Sequence, residues 1–121
     1  NIRRFADGEI YIEINENIFV RSITNVLNNA IRVSTEIEIV ADITNELIKF
    51  SIHDNGPGIP DSEKSNVFKP FYRIDKSRNQ NTFNSGLGLA TTKALLSTIN
   101  GKISLHDSYM GGLEVIIEIP N

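Results

Sequence analysis

The feature that most constrains the fold of this chain is an apolar run that ends in an acidic residue and a Gly-Pro-Gly turn. The run covers residues 47 to 52, Asp54 follows it, and residues 56 to 58 form the turn. Because Pro57 fixes φ and glycine allows positive φ, a strand must end at Asp54 and the backbone beyond it must bend. A second glycine segment, residues 85 to 89, follows about thirty residues later. At both places the sequence predicts a close approach of the backbone to another group.

Hydrophobic periodicity divides the rest of the chain into helices and strands. Helical spacing extends from residue 18 to about residue 33, after a capping signal at residues 15 to 17, and again from about residue 87 to 99. Strands are predicted at residues 10–14, 37–39, 47–52, 103–105 and 113–119, and a short helix from residue 61. This order predicts an α+β fold, a two-layer sandwich with about three helices on one face of a mixed, mostly antiparallel sheet.

Length and composition narrow the class of protein. With 121 residues the chain is expected to form a single domain, residues 1–121. A net charge of −3 gives no overall basic surface for nucleic acid, and the lack of cysteine excludes disulfides and thiolate metal sites. No apolar run reaches the length of about 18 residues that a membrane helix needs. Because the chain starts at Asn1 without an initiator Met, we interpret it as part of a longer protein.

The first predicted helix carries polar residues on one shared face. Asn25 and Asn29 are four residues apart, and Arg32 lies three residues further on. Amide oxygens suit a hard cation such as Mg²⁺, which takes few protein ligands and completes its shell with phosphates and water. Since the chain contains fourteen asparagines, an ordinary solvated face is the alternative for this pair taken alone.

Asp54 is a candidate for recognition of a nucleotide base. A carboxylate at the end of a strand can accept a hydrogen bond from an exocyclic amine, and Gly56 and Gly58 would let a planar ring lie against the backbone. An Asp-Asn-Gly turn without a ligand is the alternative for this segment alone.

The second glycine segment is a candidate phosphate site because it precedes a helix, where free N–H groups attract anions. It matches neither the Walker nor the Rossmann pattern. A polar loop before it carries three basic residues, which either close over a polyphosphate or form an ordinary charged loop: Arg73, Lys76 and Arg78. The aromatic cluster beside this loop is interpreted as packing: Phe68, Phe71 and Tyr72.

The order of four segments is more specific than any one of them. The segments are residues 25–30 (Asn-Val-Leu-Asn-Asn-Ala), 54–59 (Asp-Asn-Gly-Pro-Gly-Ile), 67–73 (Val-Phe-Lys-Pro-Phe-Tyr-Arg) and 86–89 (Gly-Leu-Gly-Leu). They resemble the N box, first glycine box, F box and second glycine box of the ATP-binding catalytic domain of bacterial sensor histidine kinases, in the GHKL superfamily. The resemblance covers almost the whole chain and implies the Bergerat fold with a mobile ATP lid.

The resemblance also implies roles for individual residues. Asn29 would coordinate Mg²⁺, Asn25 would support the metal's water shell, and Arg32 would contact phosphate. Asp54 would bind the adenine amino group. The remaining implied contacts to ATP come from the adenine pocket (Gly56, Gly58, Ile59), the lid (Arg73, Lys76, Arg78) and the segment that covers the phosphates (Ser85, Gly86, Leu87, Gly88, Leu89).

The implied function is transfer of the γ-phosphate of Mg-ATP to a histidine on a separate dimerisation domain of the same protein, with a response regulator downstream. Related ATPases carry a glutamate at the position of Asn25, and a neutral amide cannot accept the proton of an attacking water. His53 and His106 lack the sequence context of the family's phosphoacceptor, so that histidine is expected before Asn1. The domain is expected to be cytoplasmic, and the sequence leaves open whether its parent is membrane-anchored.

Three departures from the family pattern define an alternative. Val33 stands where relatives often have an aromatic residue, Asn84 replaces a glycine, and the lid is short. They motivate a second hypothesis, a nucleotide-binding docking module that signals without kinase activity. A glutamate-dependent ATPase is a third hypothesis, and Asn25 counts against it.

Overall fold

A computed structural model describes residues 2–4, 11–72 and 88–121, with side chains from residue 14 onward. The strands are β1 (Ile2–Arg4), β2 (Tyr11–Glu13), β3 (Ile37–Ile43), β4 (Leu47–Asp54), β5 (Lys102–Asp107) and β6 (Leu113–Pro120). The α-helices are α1 (Glu16–Val33) and α2 (Gly88–Ser97), and two 3₁₀ turns cover Asp61–Glu63 and Asn66–Phe68. None of the described helices is long and apolar enough to cross a bilayer.

Helix α1 begins where the capping signal predicts. Asn15 has an extended backbone, and its side-chain oxygen accepts a hydrogen bond from the Ile18 amide at 3.1 Å. This bond satisfies one of the amides that a helix start leaves without a partner. Ser22, Val26 and Ala30 are the buried residues of the helix, and their spacing of four defines the face that turns inward.

The main sheet has four strands in the order β3-β4-β6-β5, and all its pairings are antiparallel. It consists of two hairpins, β3–β4 and β5–β6, that join through β4 and β6. In that central pairing Ile48 faces Ile119 and His53 faces Glu114. Strands β1 and β2 form a separate two-stranded sheet.

The core lies between the helices and one face of the main sheet. Its central members are residues at alternate positions of β4 and β6, together with Val26 and Leu96 from the helices. The largest fully buried side chains of the sheet are Ile48, Ile52, Ile117 and Ile119. Alternation places these residues on one face because strand side chains repeat with a period of two. The predicted α+β sandwich is therefore confirmed.

The segment after residue 60 differs from the predicted short helix. It forms the two 3₁₀ turns, each closed by hydrogen bonds between residues three apart, such as Glu63 N to Pro60 O at 2.8 Å. The segment lies between Pro60 and Pro70, and a turn at residues 64 and 65 separates its two 3₁₀ turns. Val67 and Phe68 still pack against the core, as the sequence predicts.

Helix α2 ends at Ser97, two residues before the predicted end near residue 99, and a turn continues to Asn100. Asn100 has φ of 61°, and the Gly101 amide donates to the Leu96 carbonyl at 2.7 Å. This left-handed residue after the helix satisfies a carbonyl of the last turn. The predicted lid between the two helices lies outside the described residues.

Candidate functional site

Asp54 is the most constrained acidic residue of the described chain. It is the last residue of β4 and only 4% exposed. Its Oδ1 accepts hydrogen bonds from two backbone amides, Gly56 N at 2.9 Å and Leu113 N at 3.1 Å. Two amide donors hold the carboxylate in one orientation and leave Oδ2 as the acceptor for another partner.

The turn between β5 and β6 closes tightly over Asp54. The Gly112 amide donates to the Asp54 carbonyl at 3.1 Å. A Cβ on Gly112 would lie 2.2 Å from Asp54 Oδ1 and 2.6 Å from Gly56 N. Only glycine fits at residue 112, because such distances are far below a van der Waals contact.

Asn55 connects the end of β4 to the loop after α1. Its Oδ1 accepts from the amides of Thr35 and Glu36 at 2.9 and 3.0 Å, and its Nδ2 donates to Thr35 Oγ1 at 2.9 Å. The backbone N–H of Asn55 donates to the Glu36 carbonyl. These bonds fix the position of the α1 C-terminus relative to Asp54.

Gly56 lies directly against that C-terminus. A Cβ at residue 56 would be 2.7 Å from the Val33 carbonyl oxygen and 3.1 Å from Val33 Cγ2. Val33 is 49% exposed, so its side chain borders an open space next to Gly56. Gly58 has φ of 72°, which bends the chain back toward the core, where Ile59 packs.

Lys64 secures the segment that follows Gly58. Its Nζ donates to the Ile59 carbonyl at 2.8 Å, to Asp61 at 2.6 Å and to Asp107 at the end of β5 at 2.9 Å. The hydrogen bond and charge of Asp61 raise the pKa of Lys64, and those of Lys64 lower the pKa of Asp61. Both groups therefore stay charged at neutral pH.

In the middle of α1, two turns before its C-terminus, Asn25 contacts the first turns of α2. Its Nδ2 donates to Thr92 Oγ1 at 3.2 Å, and that hydroxyl donates to the Gly88 carbonyl at 2.8 Å. Thr92 is fully buried. The two helices are thus joined by a polar link at the point where the second glycine segment enters α2.

Asn29 and Arg32 complete this helix face. Arg32 Nη2 donates to Asn29 Oδ1 at 2.9 Å, and the missing Cβ of Gly88 would lie 3.5 Å from Asn29 Nδ2. Partial burial lowers the pKa of Arg32, but the guanidinium remains charged at neutral pH. The start of α2, an amide oxygen and a cation therefore meet at one place.

The structure brings six of the fifteen predicted site residues together along α1: Asn25, Asn29, Arg32, Asp54, Gly56 and Gly88. Gly56 contacts Val33 at the helix end, Arg32 and Asn29 follow, and Gly88 faces Asn29. Leu89 and Ile59 instead pack against the core. Six predicted residues lie outside the described part of the chain: Arg73, Lys76, Arg78, Ser85, Gly86 and Leu87.

The aromatic cluster is only partly a packing cluster. Phe68 packs against the core, and Lys93 Nζ lies 5.1 Å from the centre of its ring. Tyr72 donates its hydroxyl hydrogen bond to Glu63, which raises the pKa of Tyr72. Phe71 is 70% exposed and has φ of 65°, so the packing interpretation is wrong for this residue.

Sequence reasoning missed Asn55, Thr92 and Gly112. The alternative predicted for residues 54 to 56, an Asp-Asn-Gly turn, gives Asn55 no role beyond the turn itself. For Gly112 the adjacent glycines at residues 111 and 112 are the available signal, since glycine next to a strand often marks a close approach of backbones.

The described residues hold no group of three or more His, Cys, Asp or Glu side chains that could bind a metal ion. A metal enclosed by protein carboxylates is therefore not what this region offers. One amide oxygen next to a cation and a helix start instead suits Mg²⁺ that is bound mainly through phosphates and water.

The fold defines a class: an α+β domain in which two helices pack on one face of a four-stranded antiparallel sheet. Residues 14–121 match the family of histidine kinase-, DNA gyrase B- and HSP90-like ATPases. The chain belongs to this family, and it is an ATP-binding catalytic domain of the sensor histidine kinase type.

Two relatives and one solved structure illustrate the likeness. The chain is 33% identical over 117 residues to the sensor histidine kinase CpxA of Escherichia coli K12, covering 96% of the chain and 26% of CpxA. It is 34% identical over 124 residues to WalK of Bacillus subtilis, covering 98% and 20%. The mycobacterial sensor histidine kinase MprB has 26% identity and a TM-score of 0.78, covering 93% of this chain and 81% of that structure. The chain thus spans about a quarter of the length of CpxA and a fifth of the length of WalK.

Proposed function

We propose that this domain binds Mg-ATP and donates the γ-phosphate to a histidine on a separate dimerisation domain of its parent protein. The observation that carries the proposal is the continuous line from Asp54 through the end of α1 to the start of α2. One end of this line offers a fixed carboxylate, and the other offers an amide oxygen, a guanidinium and helix amides. This polarity matches a molecule with an amine at one end and phosphates at the other.

At the adenine end, Asp54 would accept a hydrogen bond from the exocyclic amine through Oδ2. Its Oδ1 already accepts from Gly56 N and Leu113 N, so binding need not order the carboxylate. Gly56, Gly58 and Ile59 would form the floor under the ring. A preorganised acceptor costs little entropy when the ligand binds.

At the phosphate end, Asn29 would hold Mg²⁺ and Arg32 would contact a phosphate oxygen. Asn25, held by Thr92, would support the water shell of the metal. When bound, Mg²⁺ neutralises charge on the phosphates during transfer. The lid residues Arg73, Lys76 and Arg78, with the segment of residues 85 to 89, would close over the phosphates.

Asn25 favours transfer to a protein acceptor over hydrolysis. An amide cannot take a proton from water, so the described residues around α1 supply positioning and charge without a general base. The acceptor would be a histidine on dimerisation helices of the same protein, and a response regulator would receive the phosphate afterwards. We place this domain in the cytoplasm, where ATP is available.

Titration calorimetry with ATP and ADP, with Mg²⁺ and with EDTA, tests the binding part. We expect binding that is tighter with Mg²⁺ and little release of phosphate by the domain alone. Absence of Mg²⁺-dependent nucleotide binding would contradict the proposal.

A second experiment separates the kinase from the docking module. The chain is rejoined to the helical segment that precedes it in the parent protein, and phosphate on histidine is followed with labelled ATP. Val33, small and half-exposed beside Gly56, is the observation that favours weak base stacking and hence the docking module. Intact binding without transfer would support that module.

A further inference from the structure

His53 is a buried titratable residue that the proposed function does not use. It precedes Asp54 on β4 and is 6% exposed. Because side chains alternate along a strand, His53 lies on the sheet face opposite the core, while Asp54 follows on the other face. Its cross-strand partners are Glu38 on β3 and Glu114 on β6.

The ring of His53 is held on three sides. Nδ1 lies 2.9 Å from Ser108 Oγ, and Nε2 lies 3.5 Å from Glu114 Oε2. The Tyr109 ring covers it, with ring centres 4.5 Å apart. Tyr109 is itself 73% exposed, so its ring lies between His53 and solvent.

Ser108 and Tyr109 belong to the β5–β6 turn that closes over Asp54. Ser108 Oγ also accepts from the Met110 amide at 3.0 Å, and the Ser108 amide donates to the Gly112 carbonyl at 2.9 Å. Gly112 and Leu113 then donate to the carbonyl and carboxylate of Asp54. His53 therefore contacts the β5–β6 turn from the sheet face opposite the core. The amides of the same turn orient Asp54 on the core face.

We propose that His53 is a positioning residue for adenine recognition, which it supports by fixing the β5–β6 turn through Ser108 and Tyr109. The inference rests on the proposed function, because it concerns the carboxylate assigned to the adenine amine. A rigid turn keeps the Leu113 amide on Oδ1 and thereby keeps Oδ2 directed outward. A loosened turn lets the carboxylate rotate, which weakens recognition of the amine and leaves the phosphate end unchanged.

The test compares ATP with purine riboside triphosphate, which lacks the 6-amino group. The dissociation constant of purine riboside triphosphate divided by that of ATP isolates the contribution of the amine to binding. We expect His53→Leu and Ser108→Ala each to reduce this ratio about fivefold, as the loss of one well-placed hydrogen bond would. Affinity for purine riboside triphosphate should stay within twofold.

Three further variants make the test specific. His53→Asn keeps a polar group near the position of Nδ1 and should retain most of the ratio. His106→Leu, on the same sheet face but bonded within β5 to Ser104, should leave it unchanged. The double variant His53→Leu with Ser108→Ala should lose clearly less than the sum of the two single variants, because both break the contact between His53 Nδ1 and Ser108 Oγ.

An unchanged ratio in His53→Leu and Ser108→Ala, additive losses in the double variant, or an equal loss in His106→Leu would overturn the inference. In those cases the unaltered chain still prefers ATP, so the proposed function stands. If the unaltered chain binds neither nucleotide, the proposed function fails and the inference fails with it.

Discussion

The two ends of the site are built in different ways. At the proposed adenine end Asp54 is almost fully buried, and its partners are backbone amides of two separate segments. At the proposed phosphate end Asn25, Asn29 and Arg32 are half-buried, and their partners are side chains: a hydroxyl, a guanidinium and an amide.

Backbone amides have fixed directions, whereas side chains on a helix face can change rotamer. The adenine end is therefore complete before a ligand arrives, and the phosphate end can rearrange around metal and phosphate. Substitutions that displace the backbone donors of the first end should act on geometry and stability together. Substitutions at the second should act on Mg²⁺ dependence with little effect on folding.

Gly112→Ala should have the largest effect. The Cβ of the alanine would lie 2.2 Å from Asp54 Oδ1, so the turn must move. The hydrogen bonds that Gly112 N and Leu113 N donate to Asp54 are then lost. We expect destabilisation of about 3 kcal/mol, measured by urea unfolding, and no detectable ATP binding. Gly111→Ala is the matched control: its Cβ meets nothing within 4 Å, and only its φ of 100° opposes the change. A similar loss of ATP binding in the control would show that the clash with Asp54 is not the cause.

Asp54→Asn should separate binding from folding at the adenine end. The asparagine oxygen can still accept from Gly56 N and Leu113 N, but its NH₂ group would face the adenine amine. We expect ATP affinity to fall about 10- to 100-fold, in keeping with loss of a charge-assisted hydrogen bond. The unfolding free energy should change by less than about 1 kcal/mol. Asp42→Asn, at an exposed position of β3, is the control. Equal ATP affinity in Asp54→Asn would exclude the proposed role.

Asn29→Ala should sharpen the contrast at the phosphate end. Loss of the amide oxygen should weaken ATP binding about tenfold in Mg²⁺ and much less in EDTA, as calorimetry would show. Asn28→Ala is the matched control, because Asn28 is the adjacent, exposed amide on the same helix. An equal loss in EDTA would mean that Asn29 acts on the helix contact with Gly88 and not on the metal.

Asp61→Asn should have the smallest effect. The hydrogen bond and charge of Lys64 lower the pKa of Asp61, so this pair stabilises the folded state above the ordinary aspartate pKa. That stabilisation is lost as the pH falls through the lowered pKa. The variant should therefore unfold at slightly lower urea than the parent at pH 7, and the difference should vanish in acid. A difference that persists in acid would point to a contact other than the ion pair.

Local sequence signals predicted most of the fold. Asn15 caps α1, Asn100 ends α2, and the strand ending at Asp54 pairs as a hairpin, because each depends on residues within a few positions. The 3₁₀ turns after Pro60 were predicted as one helix, since the sequence shows helical residues but not where the Lys64 side chain finds its partners.

The predicted site residues are those whose side-chain types suggest chemistry, and the missed residues are those that hold other site residues in place. Asp54, Asn25 and Asn29 have side-chain types that suggest chemistry. Thr92 and Gly112 act on residues far away in sequence, Asn25 and Asp54 respectively. A short-range pattern such as the glycine pair at residues 111 and 112 can indicate a close approach, but only the folded chain shows which residue is approached.

The two-hairpin sheet has a consequence for how the domain folds. Each hairpin closes a short loop, but the β4–β6 pairing must join Leu47 to Pro120, and that long-range step costs more loop-closure entropy than either hairpin. Asp54 belongs to the first hairpin and Leu113 to the second. The adenine end therefore does not exist until the hairpins have docked.

A ligand held at Asp54 binds the docked state alone. ATP at a hundredfold excess over its dissociation constant would add about 2.7 kcal/mol to the unfolding free energy. Under the proposed function, the nucleotide would be both the phosphate donor and a ligand that stabilises the docked hairpins. Depletion of ATP would then lower the free energy of unfolding of the domain.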